Sequence, residues 1–266
     1  METQVTDTET DLELAVRAAK SAGEILLKFW AERSQLTVSN KRVGDFVSEA
    51  DLTSENHLKE LLLGACEADQ WLGEETGAEG KSSRRWIVDP LDGTTNFLRG
   101  IPFWSVSVAL EIDGELTVGV VHDAIHSETF AAQFGHGATL NGLPIEVSNT
   151  EVMASALFGT GVPFGSMAHI ADSAADIRRL MPHCAGVRRM GSAALDLAYV
   201  ASGRLDGFWE RKLQIWDIAA GLVLLREAGA TLEGAEVSEK PEQSGTVMTA
   251  TPKLFSSLTS LLRASN

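Results

Sequence analysis

The sequence predicts an α+β protein in which a mainly antiparallel first half is followed by an alternating second half. In the first half, strand-like runs follow one another directly and are joined through Asp113-Gly114, a pair typical of tight hairpins. In the second half, short strand-like runs alternate with longer helical ones. We therefore expect residues 1–266 to form a single domain with an α+β half (about 8–150) and an α/β half (about 151–264) that share one site.

Two amphipathic helices are predicted near the start of the chain, after a polar tail. Between Asp11 and Ala31, apolar residues recur every three or four positions, which predicts a helix packed against the core. A second helix is expected to begin at Ser48, to carry Asp51 in its first turn and to end near Cys66. Its apolar face is expected to include Leu52, Leu58, Leu61, Leu62 and Leu63.

The stretch from Trp86 to Phe97 carries the most chemical information. Its first three residues are aromatic or β-branched and predict a short buried strand. Because Pro90 has no N–H group to offer a neighbouring strand, we expect the strand to end at Asp89.

A turn with unusual polar chemistry is predicted directly after this strand. It places Asp92 beside Gly93, a residue that lets the backbone approach a ligand closely. Thr94, Thr95 and Asn96 are candidates for the N-cap of a short helix, whose free N–H groups attract anions. Acids beside anion-binding amides indicate a site in which divalent cations lie between the acids and a phosphate.

The remaining elements are predicted from the same patterns. The region from Gly135 to Gly142 is expected to form a hairpin. Further strands are expected at 105–112, 116–122, 128–133, 145–147, 156–159, 187–190, 207–210 and 246–249, and further helices at 167–181, 192–202, 216–228 and 252–262.

The composition excludes several kinds of partner. A net charge of −15 disfavours nucleic acid and anionic membrane surfaces, both of which attract Lys and Arg. No apolar stretch reaches the ~20 residues of a membrane span, and the polar N-terminus does not resemble a signal peptide. The two cysteines, Cys66 and Cys184, are expected to be buried free thiols, as in a reducing cytoplasm.

Five acids stand where predicted elements begin or end: Asp51, Glu74, Asp89, Asp92 and Asp217. Oxygen ligands of this kind suit Mg²⁺, whereas no cluster of His and Cys has the spacing of a zinc site. Taken singly, Asp51 and Asp217 are better explained as helix caps or solvated charges than as metal ligands. Asp89 and Asp92 together are different, because two negative charges so close to each other destabilise the fold unless a cation neutralises them.

These motifs, in this order, resemble those of the inositol monophosphatase family, a group of lithium-sensitive, Mg²⁺-dependent phosphatases. The resemblance extends from about Asp11 to Leu262 and implies a layered α-β-α-β-α sandwich like that of fructose-1,6-bisphosphatase, commonly a homodimer. The motifs that carry it are Gly73-Glu74-Glu75, Asp89 to Phe97, Gly135 to Gly142, Gly159 to Phe164, and Trp216 to Gly221.

The resemblance implies two or three Mg²⁺ ions in each site. Glu74, Asp89 and the carbonyl of Leu91 would hold the first ion, and Asp89, Asp92 and Asp217 would hold the second. A third ion would lie near Glu74, mainly through water. Lys41 is the natural match for a basic loop residue near that third ion.

The resemblance also implies roles around the phosphate and the alcohol. Thr94 would orient the attacking water while Asp51 accepts the proton of the Thr94 hydroxyl. The amides of Gly93 and Thr94 would hold phosphate oxygens. The substrate contacts would come from Asp92, Gly93, Thr94, Ser192, Ala193, Glu210 and Asp217.

The expected activity is hydrolysis of a small phosphate monoester, foremost inositol 1-phosphate. Histidinol phosphate is the alternative, because the carboxylate of Glu210 could receive either hydroxyls or an amine. Less favoured are 3′-phosphoadenosine phosphate, fructose 1,6-bisphosphate, and a non-catalytic role as a regulatory partner protein. The expected partner is a small phosphorylated alcohol, without nucleic acid or membrane, and the expected location is the cytoplasm.

Overall fold

A computed structural model describes residues 9–36, 38–42, 45–162 and 170–264. The predicted tail, Thr37, the start of the helix predicted at 167–181 and the Pro163-Phe164 end of one motif lie outside these residues. None of the described helices combines the length and the apolar character needed to cross a membrane. The described helices are α1 (Asp11–Ala31), α2 (Glu49–Ala65), α3 (Thr94–Arg99), α4 (Ile170–Leu180), α5 (Ala193–Ala201), α6 (Ile215–Glu227), α7 (Pro241–Ser244) and α8 (Pro252–Leu262).

Two sheets and a separate hairpin contain the described strands. The strands are β1 (Val38–Arg42), β2 (Asp45–Ser48), β3 (Gln70–Gly73), β4 (Gly77–Glu79), β5 (Arg84–Asp92), β6 (Ser105–Ile112), β7 (Glu115–Asp123), β8 (Glu128–Gln133), β9 (Ala138–Leu140), β10 (Leu143–Ile145), β11 (Leu157–Thr160), β12 (Gly186–Arg188), β13 (Gly207–Glu210), β14 (Thr231–Glu233) and β15 (Val247–Ala250). The first sheet has the order β10-β9-β8-β7-β6-β5-β3-β4, and only its β3–β5 pair is parallel. The second sheet, β12-β11-β13-β15-β14, is parallel from β12 to β13 and antiparallel beyond.

These elements stack in five layers. Helices α1 and α2 cover one face of the first sheet, and α5 and α6 lie between the two sheets. Helices α4 and α8 pack together, with α8 against β15 on the outer face of the second sheet. The predicted layered α-β-α-β-α sandwich is therefore confirmed.

Three hydrophobic clusters fill the four gaps between the layers, and the central one extends to both sides of α5 and α6. Helix α1 contributes a row of fully buried alanines, which lets its backbone lie close to the first sheet. The central cluster joins β6 to β9 with α5 and α6, and the outer cluster joins α8 to β13 and β15. The position of the site is set by these layers, because its residues come from both sheets and from the helices between and outside them.

Helix α6 lies very close to the first sheet at Gly119 of β7. A methyl group placed on Gly119 would lie 2.4 Å from the carbonyl oxygen of Ala220 and 2.9 Å from Cβ of Val223, both in α6. A backbone carbonyl cannot rotate away as a side chain can. The absence of a side chain here therefore sets the distance between the first sheet and the middle helices.

Gly119→Ala is expected to lower the free energy of unfolding by about 1–3 kcal/mol, the usual cost of overpacking a core. Urea denaturation of the purified protein measures this. The matched control is Gly64→Ala in α2, where no described atom lies within 4 Å of the added methyl group. Because alanine is the better helix former, this control should gain up to about 1 kcal/mol. Equal effects of the two changes would contradict the packing argument.

The prediction that the strand beginning at Trp86 ends at Asp89 is wrong, because β5 continues to Asp92. The pairing of β5 with β6 becomes irregular between Asp89 and Asp92, and β3 pairs with β5 only as far as Val88. Pro90 therefore lies where no neighbouring strand needs its N–H group, which is where proline is tolerated in a sheet.

Several smaller predictions are also corrected. Helix α3 is capped by Gly93, which has a φ of 96°, and not by Thr94, Thr95 or Asn96. Leu52 is 44% exposed and does not belong to the apolar face of α2, although Leu58 and Leu62 are fully buried. Cys66 and Cys184 are free but partly exposed, so they are not buried thiols.

Candidate active site

Three of the predicted acids lie at or near the ends of two neighbouring strands of the first sheet. Strands β3 and β5 are parallel, with Gly73 paired to Val88, so Glu74 and Asp89 leave the paired region side by side. The amide of Glu74 donates to the carbonyl oxygen of Val88 at 3.2 Å, which fixes this arrangement. Asp92 ends β5 three residues later. Parallel pairing is thus the reason why the first two motifs meet.

The fourth acid, Asp217, comes from the first turn of α6 in the layer between the sheets. Its Oδ2 accepts from the backbone N–H of Gln214 at 2.7 Å. This is a capping contact, so the helix-cap interpretation of Asp217 is part of its role. The same carboxylate nevertheless lies within electrostatic reach of Asp92, Glu74 and Glu210.

The acids raise one another's pKa values. Burial, followed by the charges of Glu74, Asp92 and Asp217, holds the pKa of Asp89 well above its ordinary range. Burial and then the charge of Asp92 do the same to the pKa of Asp217. The pKa of Asp92 rises to about 6, mainly through burial, although its hydrogen bonds act in the opposite direction. The cluster is therefore unfavourable as bare carboxylates and calls for protons or cations.

Asp92 also links the first sheet to α5. Its Oδ2 accepts from the hydroxyl of Ser192 at 2.5 Å and from the amide of Ala194 at 2.8 Å. Ser192 is the N-cap of α5, and Ala193 is the first residue of that helix. The predicted substrate residues Ser192 and Ala193 thus lie directly beside a predicted metal ligand.

The hydroxyl of Thr94 lies between Asp51 and the turn. Its Oγ1 is 3.0 Å from Oδ1 of Asp51 and 3.0 Å from the carbonyl oxygen of Leu91, so its single proton can be given to either. The other oxygen of Asp51 accepts from the amide of Ser48 at 2.9 Å and from its hydroxyl at 2.6 Å. Asp51 therefore both caps α2 and forms a hydrogen bond with the hydroxyl of Thr94. Burial raises its pKa, and these hydrogen bonds partly oppose the shift.

Gly93 stands at the narrowest point of the turn. Its left-handed backbone and its surroundings both exclude a side chain, since a methyl group would lie 3.1 Å from the carbonyl oxygen of Phe103 and 3.3 Å from that of Gly191. The N–H groups at the start of α3 have no partner within the helix. Backbone amides are therefore available as donors at the start of α3.

Glu210 ends β13 and comes from the second sheet. It is only 8% exposed, and its carboxyl group rests where Gly161 has no side chain, with Oε2 2.0 Å from the position of an added methyl carbon. Burial raises the pKa of Glu210 to about 8, Arg189 acts to lower it and Asp92 to raise it. A protonated Glu210 at neutral pH can both donate to a hydroxyl group and accept from one.

Sequence reasoning missed two buried acids near the site. Asp196 in α5 is 1% exposed, and its Oδ1 has no hydrogen-bond partner among the described residues. Its pKa is raised well above the ordinary value by burial and then by Glu210 and Asp92. Glu55 in α2 is fully buried. The sequence offered a signal only for Asp196, which is an acid in an otherwise apolar helix.

The donor atoms suit a hard divalent cation, because they are carboxylate oxygens together with the carbonyl of Leu91. Among the residues that the structure describes, however, no group of three or more His, Cys, Asp and Glu side chains is arranged to hold a metal ion. The mutual pKa shifts show that the acids are close enough to repel one another. We conclude that the chemistry fits Mg²⁺, whereas the side chains are not arranged as a ready ligand set.

Lys41, the predicted basic residue near a third ion, belongs by its backbone to β1. Its side chain lies outside the described part of the chain. Its proposed role therefore stays a prediction.

The fold and this acid-lined site define a class of protein, a phosphatase, which hydrolyses phosphate esters. The chain belongs to the inositol monophosphatase family, whose sequence profile matches residues 7–266. The resemblance inferred from the motifs is thereby confirmed.

Individual relatives carry two kinds of name. An inositol-1-monophosphatase of Rhizobium meliloti is 45% identical over 240 residues, which are 89% of this chain and 90% of the relative. Nus factor SuhB of Pasteurella multocida is 40% identical over 245 residues, 91% of this chain and 92% of the relative.

Among solved structures, the extragenic suppressor protein suhB of Bartonella henselae superimposes with a TM-score of 0.92 at 39% identity. The superposition covers 95% of this chain and 98% of that one. Together these similarities support the phosphatase class, while the different names of the relatives leave the substrate to be proposed.

Proposed function

We propose that this protein hydrolyses inositol 1-phosphate to inositol and phosphate and that it uses Mg²⁺ held by the acid cluster. The observation that carries the proposal is the cluster of Glu74, Asp89, Asp92 and Asp217, in which burial and the charges of Glu74 and Asp92 raise the pKa values of Asp89 and Asp217. The cluster lies near the hydrogen-bonded pair of Thr94 and Asp51. Acids that repel one another can together bind divalent cations, and these cations can bind a phosphate and activate a water molecule beside the Thr94 hydroxyl.

The residues that would hold Mg²⁺ are Glu74, Asp89, the carbonyl of Leu91, Asp92 and Asp217. Bound Mg²⁺ would supply a water molecule with a lowered pKa and would neutralise charge on the phosphoryl oxygens. The charges of Glu74, Asp92 and Asp217 all act on Asp89, so Asp89 would serve more than one ion. Two or three ions in each site follow from membership in the family and not from a contact seen here.

Thr94 and Asp51 would orient the attacking water. When Thr94 donates its proton to Asp51, its oxygen is left to accept a hydrogen from water. Because Ser48 holds the other carboxylate oxygen of Asp51, the carboxylate that would accept the hydrogen bond from Thr94 has a fixed position. The amides of Gly93 and Thr94 would bind phosphate oxygens, where negative charge increases in the transition state.

Glu210 supports a polyol as the alcohol part of the substrate. Burial raises the pKa of Glu210 to about 8, and a carboxyl group with a raised pKa suits the hydroxyl groups of inositol. An ammonium group, as in histidinol phosphate, would favour an ionised carboxylate at this place. Ser192 and Ala193, beside Asp92, would contact the same part of the substrate. No feature of the described residues favours the histidinol alternative.

The test is a panel of phosphate esters with Mg²⁺, ranked by kcat/KM: inositol 1-phosphate, histidinol phosphate, fructose 1,6-bisphosphate and 3′-phosphoadenosine phosphate. We expect inositol 1-phosphate to rank first and EDTA to abolish its hydrolysis. If another ester ranked clearly higher, the substrate proposal would be wrong, although the phosphatase class would stand.

The expected partners and location remain part of the proposal. We propose a homodimer in the cytoplasm that acts without nucleic acid or membrane, and sedimentation of the purified protein tests the dimer. RNA binding would distinguish a regulatory role from catalysis, so it needs a direct test. The net charge of −15 argues against direct RNA binding, and a gel shift at low and high salt measures it.

Glu210→Ala is expected to change substrate preference more than chemistry. It should lower kcat/KM for inositol 1-phosphate by about tenfold, the worth of one good hydrogen bond to the substrate. Hydrolysis of p-nitrophenyl phosphate, which offers no hydroxyl groups to this residue, should change much less. The exposed Glu60 provides the control Glu60→Ala. Equal losses on both esters would show that Glu210 does not select the alcohol.

A further inference from the structure

We propose that Glu55 is a positioning residue for Glu74: it holds the turn after β3 and thereby sets the affinity of the site for divalent cations. The inference rests on the proposed function, because it assumes that Glu74 is a metal ligand. Nothing in the sequence motifs assigns Glu55 a role. Its position in the interior of α2 made it look like an ordinary helical residue.

The carboxylate of Glu55 is fully buried and accepts three hydrogen bonds from the turn. Its Oε2 accepts from the amide of Glu75 at 2.8 Å. Its Oε1 accepts from the amide of Thr76 at 2.8 Å and from the hydroxyl of Thr76 at 2.5 Å. The burial of a carboxylate is costly unless hydrogen bonds compensate it. The hydrogen bonds from the turn compensate the burial of Glu55 and at the same time fix the turn.

The backbone of the turn is thereby held on both sides. The amide of Glu74 donates to Val88 of β5, and the next two amides donate to Glu55. The hydroxyl of Thr76, while donating to Glu55, accepts from the indole N–H of Trp71 at 3.0 Å. Three successive N–H groups are therefore fixed, and the Cα of Glu74 can shift little relative to Asp89.

Gly73 makes this arrangement possible. A methyl group on Gly73 would lie 2.3 Å from Oε1 of Glu55 and 2.5 Å from its Cδ. The carboxylate therefore lies against the strand in the space that a side chain would occupy. The glycine of the Gly73-Glu74-Glu75 motif is thus explained by Glu55, and not by backbone freedom.

One face of α2 reaches three parts of the site. Asp51 binds Thr94, Ser54 donates to the carbonyl oxygen of Pro90 at 3.0 Å, and Glu55 binds the turn after β3. Residues spaced by three and four positions lie on the same side of a helix. A single rigid helix therefore sets the relative positions of the predicted nucleophile-orienting group and two predicted metal-binding segments.

The test is Glu55→Gln, compared with Glu60→Gln on the exposed face of the same helix. Glutamine has an NH₂ group in place of one carboxylate oxygen, and an NH₂ group cannot accept a hydrogen bond from a backbone N–H. The turn therefore loses at least one of its hydrogen bonds to residue 55. We expect Glu55→Gln to weaken binding of Mn²⁺ by about tenfold, as for other groups that orient metal ligands. Electron paramagnetic resonance of free Mn²⁺ measures this without substrate. Glu60→Gln should bind Mn²⁺ as the wild type does.

A second variant keeps the inference testable if Glu55→Gln folds poorly. Thr76→Val removes the hydroxyl that binds Glu55 but keeps the amide, and its effect on Mn²⁺ affinity should be smaller and of the same sign. The double variant should lose less than the sum of the two, because both changes remove one set of contacts. If Glu55 has only a structural role, both variants will unfold at lower temperature yet bind Mn²⁺ normally, which overturns the inference.

The outcomes also separate this inference from the proposed function. Wild-type protein that binds Mn²⁺ but hydrolyses none of the phosphate esters overturns the function and leaves the inference to the variant comparison. Wild-type protein that binds no Mn²⁺ overturns both. In addition, the Mg²⁺ concentration that gives half-maximal rate should rise in Glu55→Gln, while kcat at saturating Mg²⁺ should fall less.

Discussion

Asp92→Asn should remove nearly all hydrolysis of phosphate esters and leave the protein folded. Asp92 accepts two hydrogen bonds from the start of α5, and we propose that it also binds a metal ion beside the phosphate-binding turn. Loss of its charge should lower kcat by about 10³-fold, the upper range for one group that stabilises a transition state. The fold should survive because asparagine retains an oxygen that can accept from Ser192 and Ala194. The change also removes one charge from a cluster of repelling acids.

The matched control is Asp113→Asn, the same substitution at an exposed hairpin residue with a φ of 53°. Asparagine adopts this left-handed conformation readily, so both activity and stability should stay near wild type. Rates are measured on inositol 1-phosphate at saturating Mg²⁺, and folding is checked by circular dichroism and urea denaturation. Near-normal turnover by folded Asp92→Asn would refute its assignment to the active site.

The metal-free protein should lose stability as the pH rises from about 5 to about 8, and Mg²⁺ should remove most of this loss. Asp92, Asp89, Asp217 and Glu210 have raised pKa values in the folded protein. The folded state therefore binds their protons more tightly than the unfolded chain does. The stabilisation is present near the ordinary carboxyl pKa of about 4 and is lost as the pH passes about 6 for Asp92 and about 8 for Glu210.

The measurement is the free energy of unfolding in urea at several pH values, with EDTA or with Mg²⁺ at constant ionic strength. Cations that bind only the folded protein stabilise it by mass action, and they do so most where the acids are ionised. The two curves should therefore separate as the pH rises. Parallel curves would mean that these acids do not form the cation site. In Asp92→Asn, the slope in EDTA should be smaller than in the wild type.

Elements whose local signals agree could be predicted closely from the sequence. The bounds of α1 and α8 match the predicted ones, and the hairpin at Asp113-Gly114 has the expected positive φ angles of 53° and 83°. In these places periodicity, capping and turn residues all favour one structure. The β5 strand was different, because the tolerance of Pro90 depends on how far β3 extends beside it. That is a long-range property, which no local pattern contains.

The same distinction applies to the candidate site. Acids at the ends of elements, such as Glu74 and Asp217, are visible in the sequence because the boundary itself marks them. Glu55 and Asp196 lie inside helices, where an acid ordinarily faces solvent. Only the packing of α2 and α5 shows that these two carboxyl groups are buried.

The bond between Asp92 and the start of α5 has a consequence for how the molecule is assembled. Glu74, Asp89 and Asp92 precede residue 150, whereas Ser192, Glu210 and Asp217 follow it, and two hydrogen bonds of Asp92 join the sets. Any ion or substrate that bridges these groups also strengthens the association of the two sheets. Two fragments produced by a cut near the exposed Val152 would each lack part of the site. Recovered hydrolysis would then report directly on the reassembly of the fragments.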